Sequence, residues 1–141
     1  MNIIEKQVAI VREFAVFESW EERYKHLIKI GRELPALPAE DQTDDAKVRG
    51  CSSSVWLHAN CNDDGSVHLR ADSDAMIVRG LVALLVRVYT DEQPDAILST
   101  EPMFIEELEL EQHLTQNRAN GLASMVKQIK TYALAFKAQS A

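Results

Sequence analysis

Gly50-Cys51-Ser52-Ser53-Ser54 is the stretch whose residue types and spacing suggest covalent chemistry. A thiol directly follows a glycine and precedes three small polar residues, where a loop turns into a strand. A cysteine at such a junction can be presented to a partner. Neighbouring amides and hydroxyls would hydrogen-bond its thiolate, and Lys47 and Arg49 would lower its pKa further. The competing reading is a small buried hydrophobe that happens to carry sulfur. The remaining inventory is poor: the chain has no glycine-rich phosphate loop, Cys-x-x-Cys pair, His-x-x-x-His helix or nucleophile-elbow serine.

The second cysteine separates the alternatives. If residues 54–61 form one strand, Cys61 lies about 25 to 33 Å along the chain from Cys51, far beyond the roughly 7 Å that a disulfide spans between α-carbons. A zinc site of Cys51, Cys61, His58 and His68 fails because His58 and Cys61 point to opposite faces. Cys61 shares the more apolar face and reads as a core residue. His26, His58, His68 and His113 read as surface or internally satisfied side chains.

The chain that must position Cys51 has 141 residues, 46% of them hydrophobic, and forms one domain, 1–141. That length buries about two thirds of the unfolded surface, so no disulfide or metal staple is required. The longest apolar run, Leu81 to Val86, is far short of the roughly 20 residues of a spanning helix. Met1 to Phe17 carries Glu5 and Glu13 and does not read as a signal peptide, so a cytoplasmic protein is expected. The formal net charge of −7 argues against nucleic-acid binding. It is unevenly spread: Asp91 to Glu111 holds eight carboxylates and no Lys or Arg, whereas Arg118 onward holds four cations and no carboxylate. Such asymmetry suits complementary partner surfaces, or two solvated helix faces of opposite sign.

Ile3, Ile4, Val8, Val11 and Phe14 recur at helical spacing, and Ser19 with Glu22 caps a second helix that buries Trp20, Tyr24, Leu27 and Ile28. Gly31 and Pro35 should stop it, and 34–45 reads as a surface loop. Period-two alternation puts Val55, Leu57, Ala59 and Cys61 on one side of a strand and Ser54, Trp56, His58 and Asn60 on the other. Asp64-Gly65 turns the chain into a return strand with Val67, Leu69 and Ala71 inward, and Lys47 to Gly50 is a candidate third strand. Ser73 is expected to cap a helix from Asp74 to Thr90, with Gly80 packing closely on the sheet and Trp56 sharing a core with Ile77, Leu81 and Leu84. Pro94 and Pro102 open two short helices, and Thr115 starts a long last one. The expected class is α+β, a small antiparallel sheet of about three strands covered by helices on one side.

Five blocks in order resemble a known family. They are Trp20-Glu21-Glu22-Arg23-Tyr24; Gly31 with Leu34-Pro35; Gly50-Cys51-Ser52-Ser53-Ser54-Val55-Trp56; Asp72-Ser73-Asp74 leading to Ile77-Val78-Arg79-Gly80-Leu81; and Leu114-Thr115 with Arg118, Gly121 and Leu122. They are similar to the SufE family of sulfur acceptors, which work with pyridoxal-phosphate cysteine desulfurases. In the last block Asn117 and Ala119 replace the serines of the commoner form.

The resemblance implies a fold shared with SufE and related iron-sulfur scaffold proteins. It makes Cys51 the residue that accepts sulfane sulfur from the desulfurase persulfide and passes it on for iron-sulfur cluster assembly. Gly50, Ser53, Asp74 and Arg118 then belong to the loop or partner surface around it. No cofactor or metal is expected on this chain, because the partner desulfurase carries the pyridoxal phosphate, and the chain acts as a sulfur carrier rather than an enzyme in the strict sense. Partners would be the desulfurase and a downstream scaffold or other acceptor, with no membrane and no nucleic acid. Free monomer and homodimer both remain open, as do an iron-sulfur scaffold, a non-catalytic adaptor and a relay toward tRNA modification. A persulfide must also be kept from cytosolic reductant, so the loop should shield Cys51 until a partner binds.

Overall fold

The computed structural model describes residues 1–140, and Ala141, the last residue of the expected domain, lies outside them. Helix α1, Ile3–Ala15, starts from a capping box. Asn2 accepts from the Glu5 amide at 2.8 Å, and the Glu5 carboxylate accepts from the Asn2 amide at 3.3 Å. Its buried face is Ile3, Gln7, Ile10 and Phe14, so Ile4 and Val8, expected inward, are exposed. Gln7 takes the inward place because both ends of its amide are satisfied there: it donates to the Glu101 carbonyl at 3.0 Å and accepts from the Phe104 amide at 2.9 Å.

Helix α2, Trp20–Glu33, is capped by Ser19, which accepts from the Glu22 amide at 3.2 Å. Gly31 lies inside α2 rather than ending it. Its reason is α3, Met76–Tyr89, which crosses α2 so closely that a Cβ on Gly80 would sit 2.2 Å from the Leu27 carbonyl oxygen, and one on Gly31 2.9 Å from the Gly80 nitrogen. Gly80 therefore serves a helix–helix crossing, not the expected contact with the sheet. Leu34, extended before Pro35, ends α2.

Strands β1, Val55–Cys61, and β2, Val67–Ser73, pair antiparallel from Val55↔Ser73 to Cys61↔Val67. The sheet has two strands, not about three. The candidate third strand reaches only a bridge, with Leu57 donating to the Ala46 carbonyl and Val48 to that of Val55. Gly50, in the left-handed region at φ 87°, then turns the chain out of register. Val55, Leu57, Val67, Leu69 and Ala71 face the helices and are buried. On the other face Arg70 donates to Asp41 at 3.0 Å and to His58 at 3.2 Å, which ties the preceding loop, with its 3-10 turn Ala39–Asp41, to the hairpin. Trp56 is on this face too, half-buried and outside the core it was expected to share. Cys61 is exposed rather than buried although its cross-strand partner Val67 is fully buried, because Val67 is flanked on its other side by the bridge to Glu92 whereas Cys61 lies at the end of the outer strand.

Helix α3 begins at Met76, two residues later than expected, and Ser73 does not cap it. Ser73 Oγ instead donates to the Ser54 carbonyl at 2.8 Å and accepts from the Ala75 amide, while Asp74 Oδ1 accepts from the Ser54 amide at 3.1 Å. Helices α4, Pro94–Ser99, and α5, Met103–Glu107, begin beside their prolines, and α6 runs from Gln116 to Ser140. Leu81, Leu84 and Leu85 of α3 meet Leu122, Met125 and Ile129 of α6 in one buried cluster, where each large side chain contributes about 1.5 to 3 kcal/mol on burial. Among the described residues no helix is long and apolar enough to cross a membrane.

Candidate functional site

Cys51 reaches its place through Gly50. The φ of 87° requires glycine at that position, and a Cβ there would also sit 2.9 Å from Ser124 Oγ on α6, which would have to turn away. The chain then lays Cys51 across α6, where Sγ donates to the Gly121 carbonyl at 3.7 Å. A Cβ on Gly121 would lie 3.1 Å from Sγ, so the absence of that carbon makes the seat. Cys51, Ser52 and Ser53 with Val78, Asn117, Arg118, Gly121 and Met125 enclose a cleft of about 10 Å³, near the smallest space that holds one water.

This is an insulating seat. Burial pushes the Cys51 thiol up from its ordinary value. Lys47 and Arg49, expected to lower it, are exposed and border a separate groove with Lys127 and Tyr132. The expected hydrogen bonds from loop amides and hydroxyls to a thiolate are replaced by a thiol donating to a carbonyl, an arrangement that favours the protonated form. The resting thiol is thus weakly nucleophilic and half-covered, and leaving the cleft removes both the burial and the acceptor.

The loop is fastened at both ends to the end of β2. At its start, buried Asp72 accepts from the Leu37 amide at 3.0 Å and from Arg79 Nε at 2.9 Å, and Arg79 Nη2 donates to the Leu34 carbonyl at 2.7 Å. At its end, Asp74 and Ser73 hold Ser54 as described above. Of the residues singled out in the sequence, Cys51, Ser53 and Arg118 converge on the cleft, with Ser53 half-buried and Arg118 exposed, while Gly50 lies outside its lining and packs against Ser124. Asp74 acts at the loop exit through Ser54 and not as a cap on α3. Sequence reasoning missed the seat itself, Gly121, and the walls Val78 and Met125. A glycine inside a long helix, costing roughly 1 kcal/mol relative to alanine, was the available signal of a close approach.

Cys61 donates to its neighbour's carbonyl, Asn62 O, at 3.5 Å, and His68 pairs with Asp91 at 2.8 Å. His26 pairs with Glu13, and His113 stacks on Trp20 at 3.9 Å. Among the described residues no group of three or more His, Cys, Asp or Glu is arranged to hold a metal ion.

The fold is shared with a hypothetical protein from Thermus thermophilus known from its solution structure, with a TM-score of 0.77 at 22% identity over 94% of this chain and 96% of that one. An uncharacterized SufE-like protein of Rhizobium meliloti (strain 1021) is 38% identical over 128 residues, 88% of this chain and 91% of the relative. Residues 8–133 match SufE, described as an Fe-S metabolism associated domain. The Cys51 loop thus sits in a chain that belongs to the SufE family, with a role in sulfur-related Fe-S metabolism.

Proposed function

We propose that this chain accepts sulfane sulfur on Cys51 from a pyridoxal-phosphate cysteine desulfurase and passes it to a downstream acceptor in iron-sulfur cluster assembly. The observation that carries the reading is the seating of the Cys51 thiol over Gly121, half-covered and hydrogen-bonded to a carbonyl in a cleft close to atomic size. In the transfer, the Cys51 thiolate attacks the outer sulfur of the donor's cysteine persulfide. The donor S–S bond breaks, a new S–S bond forms on Cys51, and the donor cysteine leaves as a thiolate that takes up a proton equivalent to the one Cys51 released. The exchange is redox-neutral and needs no metal, nucleotide or general base on this chain. Two demands meet at the loop: cover against reductant at rest and access for the donor. The bridge that ends at Val48 and the fastening of Ser54 by Asp74 leave the short stretch 49–53 between them to move.

A scaffold role is the weaker reading, because the two cysteines, one in the loop before β1 and one at its far end, are too few and too separated to hold a cluster within one chain. The test is intact mass after incubation with a desulfurase and cysteine. Wild type should gain about 32 Da per sulfur, and Cys51→Ser should gain none while remaining folded. Mass addition that persists in Cys51→Ser and disappears in Cys61→Ser would overturn the assignment.

A further inference from the structure

A specific protein interface buries about 800 Å² per side, so a partner that reaches Cys51 must also engage surface beyond the cleft around it. Farther along α6 the surface opens. Between α5 with the 3-10 turn Leu110–His113 and the early turns of α6 runs a groove of about 610 Å³. Its floor is Ile105, Leu122 and Val126, and Met103, 44% exposed, stands in its wall. Leu122 follows Gly121 but points about 100° around α6, so the groove and the thiol's cleft lie on neighbouring faces of the same turns of that helix and share no lining residue.

Its rim is charged with one sign. Glu106, Glu109 and Glu111 line it, and among the described residues none of the three has an ion-pair partner, whereas the fourth lining carboxylate, Glu101, is held by Lys130. No Lys or Arg lines the groove. Here the acidic run of 91–111 that stood out in the sequence acquires a place: an apolar trough with uncompensated negative charge along its edge. Glu109 is held with φ at 56°, in the left-handed region, which fixes the turn between α5 and the 3-10 segment that forms one wall.

We infer that this groove docks a lysine- or arginine-rich amphipathic segment of the sulfur donor, resting on the acceptor role proposed for Cys51. An apolar face at i, i+3, i+4 spacing would enter the trough while its cations meet the glutamates. The donor, rather than the later acceptor, is the occupant because it must meet Cys51 while the thiol is still seated. Opening that loop costs free energy, and contacts made beside the seat by the same partner offset it.

The experiment compares Glu106→Lys/Glu111→Lys with wild type and with Glu18→Lys/Glu21→Lys, an equal change of charge on and before α2, outside the groove. Binding of the desulfurase from the same cell is measured by titration at several salt concentrations, alongside melting temperature and iodoacetamide alkylation of Cys51. The groove variant should bind roughly tenfold more weakly with a flatter salt dependence, while its melting and Cys51 alkylation match wild type and the α2 variant keeps its affinity. With wild-type sulfur acceptance intact, unchanged affinity of the groove variant, or an equal loss in the α2 variant, overturns the docking assignment. Loss of self-association in its place, seen by sedimentation, would make the groove a contact between two copies and overturn it as well. A wild-type chain that binds the desulfurase through the groove but gains no sulfur would overturn the acceptor role separately.

Discussion

Cys51 and Cys61 flank the same strand, one before it and one at its end, and their surroundings differ in kind. The Cys51 thiol bonds a carbonyl 70 residues away on α6, in a cleft contributed by the loop, α3 and α6. Cys61 bonds the carbonyl of its immediate neighbour and stands exposed at the end of the outer strand. The more accessible sulfur is the one with no site around it. Under the acceptor role proposed for Cys51, exposure alone does not mark a sulfur carrier; a persulfide needs a place that covers it and a loop that uncovers it.

The most direct way to break this contrast is to fill the seat. Gly121→Ala places a carbon 3.1 Å from Sγ, and the loop side chain gives way more readily than the helix. The helix itself gains from the change, because alanine is about 1 kcal/mol better than glycine in a helix interior. Melting should hold or rise, while alkylation of Cys51 accelerates, on the order of tenfold for each pH unit by which the thiol falls back toward its ordinary value. Alkylation of Cys61 should not change. Slower Cys51 alkylation would show that the added methyl closes the cleft.

A smaller effect is expected from loosening the loop exit. Asp74→Arg removes the acceptor of the Ser54 amide and should raise Cys51 alkylation and sulfur acceptance severalfold, with the fold intact. An unchanged rate would mean that the loop is held without this contact.

The smallest effect is read from pH. Because burial raises the Cys51 thiol, its thiolate is the minor form at neutrality. Its alkylation rate should keep climbing between about pH 7 and 9 without levelling, and in Gly121→Ala it should level earlier. A Cys51 profile that levels below the ordinary thiol range would contradict the insulating seat. In the same series Cys61→Ser should change stability by no more than about 0.5 kcal/mol, as for other exposed positions.

Much of the fold was legible in local pattern. Ser19 with Glu22, Pro94 and Pro102 mark helix starts by satisfying or dispensing with free amides, and the alternation of 55–61 and 67–71 fixed which side chains face the helices. What the pattern misjudged lies where two segments meet. Gly31 resembled a helix stop and Gly80 a sheet contact, but each is small because the other's helix passes within contact distance. Alternation put Cys61 on the apolar face correctly, yet the period of a strand does not state where the cover over that face ends. Lys47 and Arg49 are close to Cys51 in sequence and distant in effect, since the turn at Gly50 directs the thiol to α6 and leaves the two cations at the surface.

The sequence by itself determined the α+β class and the helix and hairpin periods, and it singled out Cys51 as the candidate, because backbone propensity, side-chain periodicity and a motif at a loop–strand junction are local properties of the chain. Tertiary structure alone decided the protonation and cover of that thiol. The Gly121 carbonyl, the cleft walls from α3 and α6, and the Asp72 and Asp74 fastenings come from segments far apart in the chain, and burial and hydrogen bonding, which set a thiol's acidity, exist only once those segments pack together.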